Sequence, residues 1–555
     1  MWSTPIVVMS QPTSHGYRMK PFSLIHCLAA VVLLLTGCKP VESAKISGAV
    51  YCVDSFSQHL NPQIQGSTPF IASLSQQVYN RLIEINPGTQ RLDGALAENW
   101  SVSRNGLIYT FNLRRNVHFQ HTNWFTPTRP FNADDVIFSF KRITDPTHPY
   151  HAVSGIRYPF FDNQQFSEIL QDIKKVTDYQ VQFILNRPDA SFMATLASDN
   201  SVILSAEYGD YLQRQHGDMQ DMDDLPVGTG PFKVQELRSN EYLRLTRHPE
   251  YWDKAPILEQ LVFDYTPRAS KRLAKLFTGE CQVIATPAAS QLPFIRDHQH
   301  TDVDVQSNMN TTYLALNTKK KPLSDVRVRQ AIAMAINKDN LQQAVFYDTG
   351  ETASSLLPLA SWAHHPNLDE YYYDPDQAKQ LLKESGYPDG LDLTLWVQPI
   401  ARAYNPDASK TAQLILGDLA RVGINVQIIE TRWMVMKAKL QEGKHDMALL
   451  AWTADNADPD NFLRPLLSCE ALKNGGNNYS SWCNDEFDSH LNKALATQRL
   501  SQRIFEYQRS QEMIYQYVPV IPLAHALLVS AYWKNMHDVI IPPTGGVSFK
   551  KAYRE

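Results

Sequence analysis

Between Ala95 and Arg142 the sequence lays down a hairpin and then a capped helix, and no other stretch limits the possible folds so sharply. Gly106 is a turn residue between two short alternating runs, so Trp100 to Val102 and Ile108 to Leu113 are predicted to pair as antiparallel strands. Asn132-Ala133-Asp134-Asp135 then places capping side chains just ahead of Val136, Phe138, Phe140 and Ile143, the start of a helix. Local pattern thus predicts a mixed α/β chain.

At 555 residues the chain exceeds what one hydrophobic core supports, so two or three domains are expected. Charged residues at 20% and hydrophobic residues at 43% argue against disorder. The formal net charge is −5; with Arg18 and Lys20 set aside, 50 of the 52 basic residues face 57 acidic ones, about −7. That balance gives no reason to expect nucleic acid, and its sign suits a cationic ligand. Residues 1–37 read as a targeting segment: Arg18 and Lys20 precede an apolar run from Leu24 to Leu35, which suits a signal-peptide core better than a membrane span. The ending Leu35-Thr36-Gly37-Cys38 resembles a bacterial lipobox, with Cys38 as the acylated first residue of the mature protein. Met19-Lys20 is a typical beginning for such a leader, so translation from Met1 or from Met19 both stay open. No later apolar run is long enough to span a bilayer, which leaves the lipid as the membrane contact.

Four further cysteines, Cys52, Cys281, Cys469 and Cys483, allow three pairings. The short loop holding Gly475 and Gly476 favours Cys469 with Cys483. No Cys-x-x-Cys spacing exists, so a zinc site is not expected. Farther along, Tyr51-Cys52-Val53 opens a strand, Ile71 to Glu84 has helical spacing through Leu74, Val78 and Leu82, and Val202 to Leu204 reads as a short strand. Gly228-Thr229-Gly230-Pro231 lacks the Gly-Lys-Ser/Thr ending of a phosphate loop and is predicted to be a turn. Thr311 to Asn317 alternates into a strand; Asp325 to Asn337, Asp376 to Ser385 and Lys410 to Val422 are predicted helices; Ile424 to Ile429 is an alternating strand. No His-Glu-x-x-His, Gly-x-Ser-x-Gly, Walker or dinucleotide fingerprint occurs, so no enzymatic activity is expected. Adjacent His364 and His365 cannot share a helix face as metal ligands do and read as a surface loop. The acidic run from Asp455 to Asn461 fails as a calcium loop, since Asp460 stands where glycine is required.

The Ala95–Arg142 string as a whole, together with Tyr313-Leu314-Ala315-Leu316-Asn317 and Val328-Arg329-Gln330-Ala331-Ile332, resembles the family 5 extracellular solute-binding proteins of ABC transporters. The resemblance runs from about Tyr51 to the C-terminus. It implies a type II periplasmic-binding fold, α/β, with two lobes around a ligand cleft plus an extra domain. Lobe I would comprise 38–80, 201–308 and 524–555, lobe II 81–200, and lobe III 309–523. Placing Cys52 and Cys281 in one lobe, it implies a second bridge between them. Met447 to Trp452, continuing through Thr453, Ala454 and Asp455, looks like the family's binding strand, whose aspartate holds a peptide α-ammonium. Asp455 would be that anchor, a fixed carboxylate that demands charge as well as shape in a dehydrated cleft. Trp452 would pack beside the ligand, and the strand's backbone, Thr453 and Ala454 included, would pair with an extended peptide. Arg402, followed by Tyr404-Asn405-Pro406, looks like the carboxylate-binding loop. Gly66 and Ser67 stand where the family brings a backbone edge to the ligand. Asn123–Arg129, Pro287–Leu292 and Arg464–Cys469 most resemble the branch that takes up peptides, cationic antimicrobial peptides among them. The implied partners are a peptide and an inner-membrane permease, for a monomer in the periplasm. No cofactor is expected; haem, or a nutrient dipeptide or oligopeptide, is the alternative ligand.

Overall fold

The computed structural model describes residues 47–555, apart from 58, 66, 67, 87, 88, 90, 216, 348, 474, 475, 543 and 544. Alternation decides the first layer. In Ile108–Leu113 and Gln180–Leu185 every second residue is buried, so Tyr109, Phe111, Val181 and Phe183 point to one side. These strands, flanked by Ala97–Val102 and Leu170–Thr177, form a four-stranded antiparallel sheet with one apolar face. The helix Ala133–Thr144 supplies Val136, Phe140 and Ile143 to the same core. Its start is a capping box: Asn132 Oδ1 accepts from the Asp134 N–H at 2.9 Å, and Asp135 accepts from the Asn132 N–H at 2.9 Å. Gly106 makes the predicted hairpin turn with φ +70°, a left-handed conformation that suits glycine.

A mixed seven-stranded sheet shares that core. Its middle strand, Gly48–Val53, runs parallel to both Gln260–Tyr265 and Val283–Ala285, while Tyr242–Arg247 and Phe232–Arg238 extend one side and Leu528–Trp533 and Thr301–Gln306 the other. Cys52, in the middle strand, forms a disulfide with Cys281, Cα to Cα 5.9 Å, within a small core that also holds Leu276, Ile284 and Ile295.

The remaining large sheet has six strands in the order Gly350–Thr352, Val520–Ala526, Asn310–Leu316, Met447–Thr453, Leu391–Val397 and Ile424–Glu430. Asn310–Leu316 and Val520–Ala526 are buried along their whole length, the continuous pattern of strands covered on both faces. Leu314 and Leu316 enter one core and Tyr313 and Ala315 another, so a hydrophobic layer lies on each side of the sheet. The predicted helices appear as Val326–Ala335, Pro375–Glu384 and Ala408–Ala420. A second disulfide joins Cys469 to Cys483, Cα to Cα 4.6 Å. The described residues form one compact unit with separate cores, a first body on the four- and seven-stranded sheets and a second body on the six-stranded sheet.

Two local expectations fail. The helix expected over Ile71–Glu84 is Pro69–Val78 and stops early, and Ile83–Ile85 is a strand. The Val78 carbonyl is taken by the Gly230 N–H at 2.9 Å and by Gln120 Nε2 at 2.9 Å, tertiary partners that end the helix ladder. The Gly228–Gly230 turn is glycine-rich for the same reason, since a Cβ on either residue would collide with this helix end. Val202–Leu204 is buried and extended but joins no sheet; the Ile203 N–H donates to the Asn80 carbonyl at 3.0 Å.

Candidate functional site

Leu391–Val397 runs parallel to both Ile424–Glu430 and Met447–Thr453. The segments that follow these strands therefore gather at one edge of the sheet, the carboxyl edge where open α/β sheets bind ligands. They carry Ile400 to Arg402, Arg432 to Trp433, and Ala454 to Asp455.

This edge faces the first body. Ser198 Oγ donates to the Asp455 carbonyl at 3.1 Å, and Asn456 Nδ2 to Gln164 Oε1 at 3.2 Å. The Ala190 N–H donates to the Leu495 carbonyl at 2.9 Å, and Gln498 Nε2 to Tyr109 Oη at 3.0 Å. Between the bodies lies a space of about 330 Å³, part of it open to solvent, with Ile71, Ser198, Asp199 and Asn200 on one side and Ala454 and Asp455 on the other.

The acidic run after Thr453 divides into two chemistries. Asp458 is buried and gripped by Arg503 Nη2 at 2.7 and 2.9 Å, and Asp460 pairs with Arg464 Nε at 2.7 Å. Burial pushes the Asp460 carboxyl up against the pull of Arg464. Asp455 lines the space between the bodies. Its backbone is held from both sides: the N–H donates to Asn461 Oδ1 at 3.0 Å, and the carbonyl accepts from Ser198.

Trp452 is half-buried against the core of the second body and stands opposite Thr311 in the ladder. Its Nε1 and the Thr311 hydroxyl are buried and make no hydrogen bond among the described residues. Thr453 is exposed and pairs with Asn310, while the Ala454 N–H donates to the Met309 carbonyl at 2.8 Å. Arg402 is exposed on a loop fixed from below, where Thr312 Oγ1 donates to the Tyr404 carbonyl at 2.6 Å and Asn405 is buried. Gly66, Ser67 and Cys38 lie outside the described residues. Thr68, next in the chain, caps the helix whose Ile71 and Ala72 reach the space.

Sequence reading missed the first body's contribution. Asp199 lines the space and is paired with Arg81, with Gln76 Nε2 donating at 2.7 Å. Burial pushes its carboxyl up, and Arg81 and Gln76 pull it back. The one sequence signal was the polar triplet Ser198-Asp199-Asn200 ahead of a buried apolar run. It also missed Trp433 and Met434, which are exposed at the start of the helix Trp433–Gln441 on the same sheet edge.

A model of the bacterial extracellular solute-binding proteins, family 5 middle region, matches residues 91–474, a span that includes Arg402 and Trp452 to Asp455. The chain belongs to this family. The peptide transport periplasmic protein SapA of Salmonella typhimurium is 43% identical over 510 residues, 92% of each chain. The dipeptide-binding protein of Escherichia coli is 37% identical over 520 residues, 94% of this chain and 97% of its own. Among solved structures, the dipeptide-binding protein of Pseudoalteromonas sp. SM9913 in complex with Met-Leu matches with a TM-score of 0.79 at 40% identity, covering 92% of this chain and 100% of that one. As a family 5 protein the chain is a solute-binding receptor of type II fold, not an enzyme. No helix of the described residues is long and apolar enough to cross a membrane.

Proposed function

We propose that this protein captures peptides in the periplasm and hands them to the permease of an ABC importer. One observation carries the reading. The strand Met447–Thr453 pairs along its whole length with Asn310–Leu316, but on its other side only Met447 and Ala448 pair with Leu391–Val397. Among the described residues, Leu449 to Thr453 thus keep a backbone edge with no strand paired to it, and that edge leads to Asp455 in the space between the two bodies. An extended peptide adds there as a further strand, its α-ammonium against Asp455 and its flank against Trp452. Arg402 takes the far carboxylate of a short peptide, since its planar fork matches a carboxylate's two oxygens. The acidic balance of the chain suits cationic peptides, and the relatives described above carry peptide-binding names.

In this reading Asp455→Asn weakens peptide binding by roughly 2–5 kcal/mol, because a buried cation loses its counter-charge. N-acetylating the peptide costs the wild type a similar amount, and the two losses do not add. Calorimetry showing unchanged affinity for both would remove Asp455 as the anchor. Mass spectrometry of ligand co-purified from the periplasm identifies the natural cargo. Cys38 is the proposed lipid attachment; Cys38→Ala then moves the protein from the membrane fraction to the soluble periplasm, and equal fractionation of both forms would refute it.

A further inference from the structure

The two bodies also meet at a contact beside the peptide space, where Asp189 and Ala190 of the first face Leu495 and Gln498 of the second. Both groups of the Asp189–Ala190 peptide bond are engaged there. The Ala190 N–H donates to the Leu495 carbonyl at 2.9 Å. The Asp189 carbonyl accepts from Tyr109 Oη at 2.8 Å, and that hydroxyl accepts from Gln498 Nε2 at 3.0 Å. Ala190 and Ser198 stand on either side of the short helix Phe192–Leu196, and Ser198 Oγ donates to the Asp455 carbonyl. This contact and the wall of the peptide space therefore reach the second body together.

The side chain buried at the contact is a carboxylate without a cation. Asp189 is 2% exposed. Its Oδ1 accepts from the Ser191 N–H at 2.9 Å and from Ser191 Oγ at 2.6 Å, and no lysine, arginine or histidine pairs with it among the described residues. The carboxylates of the second body that lie nearby are already paired, Asp458 with Arg503 and Asp460 with Arg464. Arg464 also feels the charge of Asp189, but its hydrogen bonds go to Asp460 and Asn492. Burial pushes the phenols of Tyr109 and Tyr507 up, so both are neutral. Arg187, on the same loop as Asp189, is exposed and donates to Gln165. Closing the bodies thus takes a lone carboxylate out of water beside two others, which favours its protonated form. Burial accordingly pushes the Asp189 carboxyl up to about 6; Ser191 hydrogen bonds lower it, and Asp460 and Asp458 raise it.

We propose that Asp189 makes closure of the two bodies proton-linked, being protonated in the closed receptor and ionised in the open one. The consequence for capture rests on the peptide-receptor reading above. A carboxyl whose pKa is higher in the closed state takes up a proton on closing. Closure therefore strengthens as pH falls through about 6, and the gain levels off below the exposed value of about 3.9. The receptor grips its peptide more tightly in an acidified periplasm.

Calorimetry on the full chain tests this at pH 5 and pH 7 with Met-Leu, the dipeptide bound in the Pseudoalteromonas relative. The wild type should bind about tenfold more tightly at pH 5, as a rise from about 3.9 to about 6 requires. Asp189→Asn should bind at least about tenfold more tightly than the wild type at pH 7 and show no such difference between the two pH values. Asp189→Ser, also uncharged, should do the same, so the test does not depend on one variant folding. At pH 6, buffers of different ionisation enthalpy should reveal uptake of about half a proton per peptide in the wild type and none in either variant. Small-angle scattering of the peptide-free chain separates the switch from the peptide reading. Its radius of gyration should fall from pH 7 to pH 5 in the wild type and stay low at both in Asp189→Asn. Scattering that responds while Met-Leu is not bound would remove the peptide and leave the switch. A wild type that responds to pH in neither measurement, or an asparagine variant that keeps the wild-type response, would overturn the switch.

Discussion

Arg142 closes the segment that most constrained the fold, and its guanidinium is wholly buried. It meets Asp223 through two hydrogen bonds of 2.8 and 3.0 Å, and Asp223 also accepts from Ser154 Oγ at 2.6 Å and Asn61 Nδ2 at 2.7 Å. Burial pushes the Asp223 carboxyl up, but Arg142 and these hydrogen bonds outweigh it and hold the group below the usual carboxylate range. Arg142→Met strands a buried carboxylate, and urea unfolding at pH 7 should show a loss of about 3–5 kcal/mol. A depressed native pKa gives stability that is present above the unfolded value, about 3.9, and is lost as pH falls through the folded one. The gap between wild type and variant should therefore narrow below about pH 4. A variant as stable as the wild type at pH 7 would mean that Asp223 finds another cation. The sequence displayed Arg142 but not its partner, which stands 81 residues away.

The helix Ala133–Thr144 was legible because its start signal is local: a capping asparagine, two acids in the first turn and an apolar stripe behind them. Asn132→Ala should cost about 1 kcal/mol in urea unfolding, the usual worth of an N-cap, while Asn132→Asp keeps the acceptor and most of that stability. The Pro69–Val78 helix shows the opposite case. Its apolar spacing continues past Val78, but the carbonyl there is claimed by Gly230 and Gln120, from segments far along the chain. The Cys469–Cys483 bridge closes a loop with a sequence separation of 14, for which chain entropy gives about 3 kcal/mol. Non-reducing peptide mapping should recover that linked pair, and an alkylated Cys469 from oxidised protein would refute it.

The two bodies are joined by two short neighbouring crossings, residues 307–309 between Gln306 and Asn310, and Leu527 between Ala526 and Leu528. Asn310 ties them together: its Nδ2 donates to the Ala526 carbonyl at 2.8 Å, and its Oδ1 accepts from the Ala526 N–H at 2.9 Å. Asn310→Ala leaves both backbone groups without their partner, and should cost about 1–3 kcal/mol in urea unfolding; an unchanged transition would show that the crossings hold without it. Across the facing surfaces, Asp189 of the first body is buried near Asp460 and Asp458 of the second. Burial pushes its carboxyl up to about 6; Ser191 hydrogen bonds lower it, and those two aspartates raise it. A raised native pKa gives stability that is full below the unfolded value, about 3.9, and is lost as pH rises through about 6. Asp189→Asn keeps the acceptor for Ser191, so it should be more stable than the wild type by about 1–3 kcal/mol at pH 7.5 and equal to it at pH 4. Thermal melts at the two pH values check this, and a gap that persists at pH 4 would exclude the ionisation as its cause.

What the chain determined alone was everything that depends on near neighbours: the hairpin at Gly106, the caps at Asn132 and Asp325, and the alternation of Ile424–Glu430. Those signals act over a few residues, where backbone geometry and side-chain period are set by the chain itself. The family resemblance reached further and named Asp455, Trp452 and Arg402, but not the partners of the acidic residues that follow Asp455. Tertiary structure decided those partners: Asp458 pairs with Arg503 and Asp460 with Arg464, while Asp455 lines the space between the bodies. It likewise decided which strand edge stays uncovered and which carbonyl stops a helix. Each of those depends on a partner tens to hundreds of residues away, and a pattern with a period of two or 3.6 residues carries no record of which distant group arrives.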